Sequence, residues 1–252
     1  MRPSPHAVVG PSASLEQLSA EIVRCRKCPR LVRYRERIAR EGSFRDGVPY
    51  WGKPVPGFGD PGARLLVVGL APAARGANRT GRIFTGDRSA AFLTAALFRA
   101  GWASQPTSTS RDDGLSYRDA YITAAVRCVP PDNRPSSQEE RNCLPFLVRE
   151  LRSLPRLRAI LGLGKLAWDR SFSAACLAFG THPRKVAFAH GAKVALVPGG
   201  LTLWGAYHPS PRNTQTGLLS EAMFDRVLGE VRRYLAAENA ASNSANRGRI
   251  RS

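Results

Sequence analysis

The segment Ala63-Arg64-Leu65-Leu66-Val67-Val68-Gly69-Leu70 is nearly all apolar, with no alternation of polar and apolar positions. A strand of that kind has no face for water, so it belongs in the middle of a parallel sheet covered on both sides by helices. A long Gly-rich loop follows it, then a helical pattern from about Arg88 to Ala100. The order then repeats. Ala120–Val126 reads as a second strand, and Ser137-Gln138-Glu139-Glu140 has a capping-box spacing that opens a helix to about Leu154. Leu157–Leu163 feeds a helix from Lys165, Val194–Val197 and Leu203–Tyr207 complete the sheet, and a last helix spans about Thr216–Ala237. Repeated strand–loop–helix units predict an α/β fold, a three-layer α/β/α sandwich with a central, mostly parallel sheet. One domain over residues 14–237 accommodates all of these elements.

Upstream, Ser14-Leu15-Glu16-Gln17 carries a capping-box pattern, and Leu15, Leu18 and Ile22 form the apolar stripe of a helix. Residues 1–13 and 238–252 are small, polar and Pro-bearing or basic, and are expected to be disordered. The helix from Ser14 leads to Cys25 and Cys28, a C-x-x-C pair that is complemented far downstream by Cys128 and Cys143. Five cysteines in 252 residues, and no continuous apolar run at the start, fit a reducing cytoplasm better than a disulfide framework. The 14 residues between Cys128 and Cys143 are too many for a second zinc knuckle, and one tight pair with two separated thiols suits a [4Fe–4S] cluster at least as well as zinc. Cys176, in an apolar helical run, reads as a buried free thiol.

Charge points to a partner. Lys and Arg number 38 against 19 Asp and Glu, a formal +19, and a field of that sign draws polyanions. Between Arg24 and Arg40 eight basic residues accompany a single acidic one, Glu36, and on a helix would form a positive face. Apolar stretches such as Leu65–Leu70 are too short to span a bilayer, so no membrane is expected. The absence of heptads or a long apolar seam leaves a monomer as the expectation.

In open α/β sheets ligands bind beyond the carboxyl ends of the strands. Two loops in such places, Gly69–Asp87 and His208–Gly217, combine glycines with Asn, Thr, Arg and Gln donors, the chemistry of close backbone approach and polar recognition. The first has neither the G-x-x-x-x-G-K-[ST] nor the G-x-G-x-x-G spacing of a nucleotide-phosphate loop. Together with the Ala125–Pro135 segment and the four cysteines, these loops resemble the iron–sulfur uracil-DNA glycosylases, and in particular their family 5 (B-type) branch, from about Cys25 to Gly217.

The resemblance implies a uracil-DNA glycosylase fold with a [4Fe–4S] cluster on Cys25, Cys28, Cys128 and Cys143, in a monofunctional base excision repair enzyme of the bacterial cytoplasm and nucleoid. Its substrate would be DNA containing uracil or other deaminated bases. Such an enzyme flips the base into a pocket. Phe84 would stack on it, with Gly69, Ala71, Ala124 and Asn133 around it. His208 would donate a hydrogen bond to the leaving base, and Asp87 would favour the cationic sugar or orient water while capping the helix that starts near Arg88. Arg75, Arg79, Arg212, Asn213, Thr214 and Gln215, with the basic face around Arg33, would contact DNA. Family 4 carries an acidic residue at the position of Leu70 and an Asn at that of Ala124, so a looser pocket that also accepts hypoxanthine is expected. The rival expectations are a non-catalytic iron–sulfur nucleic-acid binder, which would need neither His208 nor Asp87, and an RNA-directed enzyme.

Overall fold

The computed structural model describes residues 11–249, and side chains from residue 14 to residue 238. Helices α1 (Pro11–Arg24) and α2 (Pro29–Asp46) precede strands β1 (Phe58–Gly59) and β2 (Leu65–Gly69). The short helix α3 (Ala77–Thr80), α4 (Arg88–Arg99), β3 (Ala120–Ala124), a single 3₁₀ turn (Pro131–Asn133) and α5 (Ser137–Ser153) follow. Then come β4 (Ala159–Leu163), α6 (Lys165–Phe179), β5 (Lys193–Val197), β6 (Leu201–Ala206), α7 (Pro211–Gln215) and α8 (Glu221–Arg249).

The strands form one sheet in the order β1-β3-β2-β4-β6-β5. The four inner strands are parallel, and the edges β1 and β5 run antiparallel to their neighbours. Alternation along β2 divides the core. Leu65 and Val67 face α4 and α8, where Leu93, Leu97, Phe224 and Leu228 are buried. Leu66 and Val68 face α1, α5 and α6, against Leu15, Leu147, Leu151 and Trp168. Every residue of β2, β3 and β4 is buried, as strands sheathed on both faces require. Apolar runs therefore produced the three-layer α/β/α sandwich that the sequence predicts.

Several boundaries differ for local reasons. The capping box of α5 is Ser136 with Glu139, one residue earlier than expected: Glu139 N–H donates to Ser136 Oγ and Ser136 N–H to the Glu139 carboxylate. Helix α1 begins at Pro11, so Ser14 lies inside it and its hydroxyl meets that of Ser153 at 2.9 Å. The last helix, expected from about Thr216 to Ala237, begins five residues later as α8 at Glu221 and runs to Arg249, while the separate short helix α7 lies before its expected start. Residues 1–10 and 250–252 of the two expected disordered ends lie outside the described residues. Cys176, on α6, is half-buried where the sequence suggests a buried thiol.

The candidate active site and the thiol cage

The loops after β2, β3 and β6 converge at the carboxyl end of the sheet on a cavity of about 590 Å³. The Ala125 and Val126 N–H groups donate to the Gly69 and Leu70 carbonyls, extending the β2–β3 ladder to the cavity rim. Of the residues singled out in the sequence, Ala71, Phe84, Asp87, Asn133, His208 and Arg212 line it, and Leu70 joins them.

Phe84 lines the cavity beside His208, with ring centroids 5.9 Å apart. Its backbone is left-handed, φ 48°, a conformation that a bulky residue adopts only when its surroundings hold it there. A buried polar network does so. Ser108 Oγ donates to the Phe84 carbonyl at 3.0 Å and meets Thr85 Oγ1 at 2.8 Å. The Arg82 guanidinium binds Thr85, Ser108 and, at 2.7 Å, the Asp113 carboxylate. Gly69 and Ala124, paired in register, are buried and do not line the cavity. Gly69 serves it from below, because a Cβ there would stand 2.6 Å from Phe84 Cε2.

Asp87 is the N-cap of α4, accepting from Ala90 N–H at 2.9 Å. Burial raises its carboxyl above the usual Asp range, and the Ala90 and Ser89 N–H groups and the Arg79 charge partly offset that. Its other oxygen fills the space above Gly76, where a Cβ would come within 1.9 Å. The sequence hinted at Gly76 only as one glycine among several in the loop.

His208 follows β6. The Ser210 N–H and the Asn213 Nδ2 both donate to its carbonyl at 2.8 Å, which fixes the backbone from which the ring projects. Burial without a facing carboxylate pushes the imidazole down to about 4, so the ring is neutral at pH 7 and one ring nitrogen carries a proton.

The residues expected to contact DNA divide into two groups. Arg75, Arg212 and Gln215 are exposed, Arg212 at the cavity, and Arg33 is exposed on α2. Arg79, Asn213 and Thr214 are committed within the protein: Arg79 to the Arg75 and Gly86 carbonyls, Asn213 to His208, and Thr214 Oγ1 to the Ser210 carbonyl. The predicted positive face of α2 is likewise incomplete, since Arg35 is buried and Arg30 is paired with Glu139 at 2.7 Å.

Cys25, Cys28, Cys128 and Cys143 line one small cavity with Leu31, Val32, Pro54 and Phe146. Burial pushes the Cys128 thiol to about 12 and the Cys143 thiol to about 11, with Arg35 drawing the first down and the Arg127 N–H and guanidinium the second. Among the described residues no three His, Cys, Asp or Glu side chains are set to hold a single metal ion. Beneath the cage Arg127 and Glu150, each buried, pair at 2.5 Å and share Thr123 Oγ1. Neither this pair nor Arg35 and Asn142 at the thiols was signalled by local sequence pattern, because their partners lie far away in the chain.

The family model of the uracil DNA glycosylase superfamily matches residues 56–232, and the chain belongs to that superfamily. A type-5 uracil-DNA glycosylase of Thermus thermophilus is 50% identical over 210 residues, which cover 83% of this chain and 93% of the relative. Those of Mycobacterium leprae and Pyrobaculum aerophilum are each 46% identical, covering 89% and 86% of this chain and 97% and 90% of their own. It is therefore the type-5 branch that the chain resembles in detail.

Proposed function

We propose that the protein is a DNA glycosylase that takes uracil, and hypoxanthine besides, out of the duplex into the Phe84–His208 cavity and hydrolyses its N-glycosidic bond, leaving an abasic site. The observation that carries this reading is a histidine and a carboxylate, both half-buried, lining one base-sized cavity with an aromatic wall. The flipped base stacks on Phe84, whose left-handed backbone presents the ring to the cavity. As the bond to C1′ breaks, negative charge grows on the base and positive charge on the sugar. The His208 N–H donates to the base oxygen that gains charge, and a donor preorganised in this way is worth about 10²–10³ in rate. Being neutral beforehand, the ring loses no existing ion pair when it does so. Asp87 supplies the opposite sign, stabilising the cationic sugar and aligning the water whose oxygen joins C1′. Its cap bond to Ala90 engages one of the two carboxylate oxygens. Leu70 and Ala71 add only apolar wall, which supports a tolerant pocket that admits hypoxanthine. Arg75, Arg212 and Gln215 grip the DNA at the rim, and the enzyme acts as a monomer.

Cys25, Cys28, Cys128 and Cys143 would hold a [4Fe–4S] cluster. Four thiols in an apolar cavity suit an iron–sulfur core, and a cubane spans more than the single ion for which no site is set. The four cysteine thiolates, bound to the iron of such a cluster, would tie the α1–α2 junction to the segment that carries Asn133. The test is excision from labelled duplexes bearing one uracil or one hypoxanthine, with alkali to reveal abasic sites. Cleavage of both is expected, with His208→Ala inactive but still binding abasic DNA. No cleavage of either base overturns the enzyme reading in favour of a non-catalytic nucleic-acid binder.

A further inference from the structure

Arg35 is 2% exposed, yet it has no close carboxylate. Glu36, the nearest, is 4.0 Å away, largely solvated and already bound to Arg26 at 2.6 Å. A buried guanidinium without an anion costs several kcal/mol and is kept only where negative charge accompanies it. Arg35 Nη1 donates to Cys128 Sγ at 2.9 Å, both Nη atoms donate to the Cys25 carbonyl at 3.3 Å, and Nε is buried with no partner. Among the described residues, the other buried guanidinium at the cage, Arg127, is paired with Glu150. Asn142 Nδ2 adds a second, neutral donor to Cys28 Sγ at 3.3 Å.

We propose that Arg35 is the counter-charge of the thiolate cluster, holding the cluster in place and setting its redox potential through the donor to Cys128. This inference rests on the [4Fe–4S] reading. Four thiolates around an iron–sulfur core carry net negative charge, so the cluster supplies the anion that the buried guanidinium lacks. Hydrogen bonds and positive charge at the sulfurs stabilise the more negative, reduced state and so raise the potential. Arg35 is a positioning residue here and does not touch DNA or the reacting bond.

The test uses the iron-loaded full chain and reads iron and sulfide content, the one-electron potential of the cluster on an electrode, and the rate of iron loss to a chelator. Arg35→Met is expected to lower the potential and to speed iron loss about tenfold, the factor that one charge-assisted hydrogen bond supplies. Arg35→Lys, which keeps the charge, is expected to restore most of both. Wild-type potential and iron retention in Arg35→Met overturn the proposal. Should Arg35→Met fail to fold, Arg35→Gln and Arg35→Lys decide it: the proposal requires a lower potential in the first and near wild-type in the second, and equal potentials overturn it. Wild-type protein without iron and sulfide would instead overturn the cluster reading itself.

Discussion

Replacing Gly76 by alanine tests whether Asp87 must act from the position it occupies. The added Cβ would stand 1.9 Å from Asp87 Oδ2, whereas Cβ contacts under 3.0 Å essentially do not occur, so about 1.1 Å must be found. The carboxylate cannot swing aside freely, because its other oxygen caps α4 through Ala90 N–H. Releasing the cap costs about 1 kcal/mol, which in a chain of this size lowers Tm by about 2–4 °C. Misplacing a reacting group by about 1 Å costs about 10² in rate. The expected Gly76→Ala phenotype is therefore a nearly stable protein whose single-turnover excision of uracil falls about a hundredfold, with abasic-DNA binding little changed. Asp87→Asn, measured in parallel, keeps the cap and removes the charge, and is expected to fall at least as far. Wild-type excision by Gly76→Ala beside a crippled Asp87→Asn would refute the argument from position. Full activity in Asp87→Asn would refute the role of the carboxylate.

His208 makes stability depend on pH. Its folded-state value of about 4 lies below the ordinary imidazole value near 6.5. The unfolded chain therefore binds the proton first, and stability is complete above about pH 6.5 and declines as the pH falls to about 4, by about 3 kcal/mol at most. Denaturant midpoints measured against His208→Asn across that range should show this loss in the wild type alone. Arg127→Met strands the buried Glu150 carboxylate and is expected to cost about 3–5 kcal/mol in urea unfolding, with recovery in the double variant Arg127→Met/Glu150→Gln. Arg212→Ala should flatten the dependence of log Kd on log salt by about one unit, whereas Thr214→Ala, whose hydroxyl is committed to Ser210, should leave the slope unchanged.

The sequence by itself determined the layered α/β fold and the place of the site. Apolar runs such as Leu65–Gly69 can be satisfied only inside a covered sheet, and Gly-rich loops at their carboxyl ends mark where ligands go. Motif is a local property, so spacing singled out the cysteines, and the resemblance of the two loops to the iron–sulfur uracil-DNA glycosylases pointed to Phe84, Asp87 and His208. Boundaries suffered where two local solutions compete, as at Ser136 and Ser137, and a strand of two residues, β1, has too little pattern to detect. Tertiary structure alone decided which polar residues turn inward. Arg35 has the same local pattern as Arg33, yet one is buried against Cys128, 93 residues away, and the other is exposed. Likewise only folding brings Ser108 to the Phe84 carbonyl and Glu150 to Arg127. Burying a charge or fixing a strained backbone depends on partners from distant segments, and no window of the chain contains them.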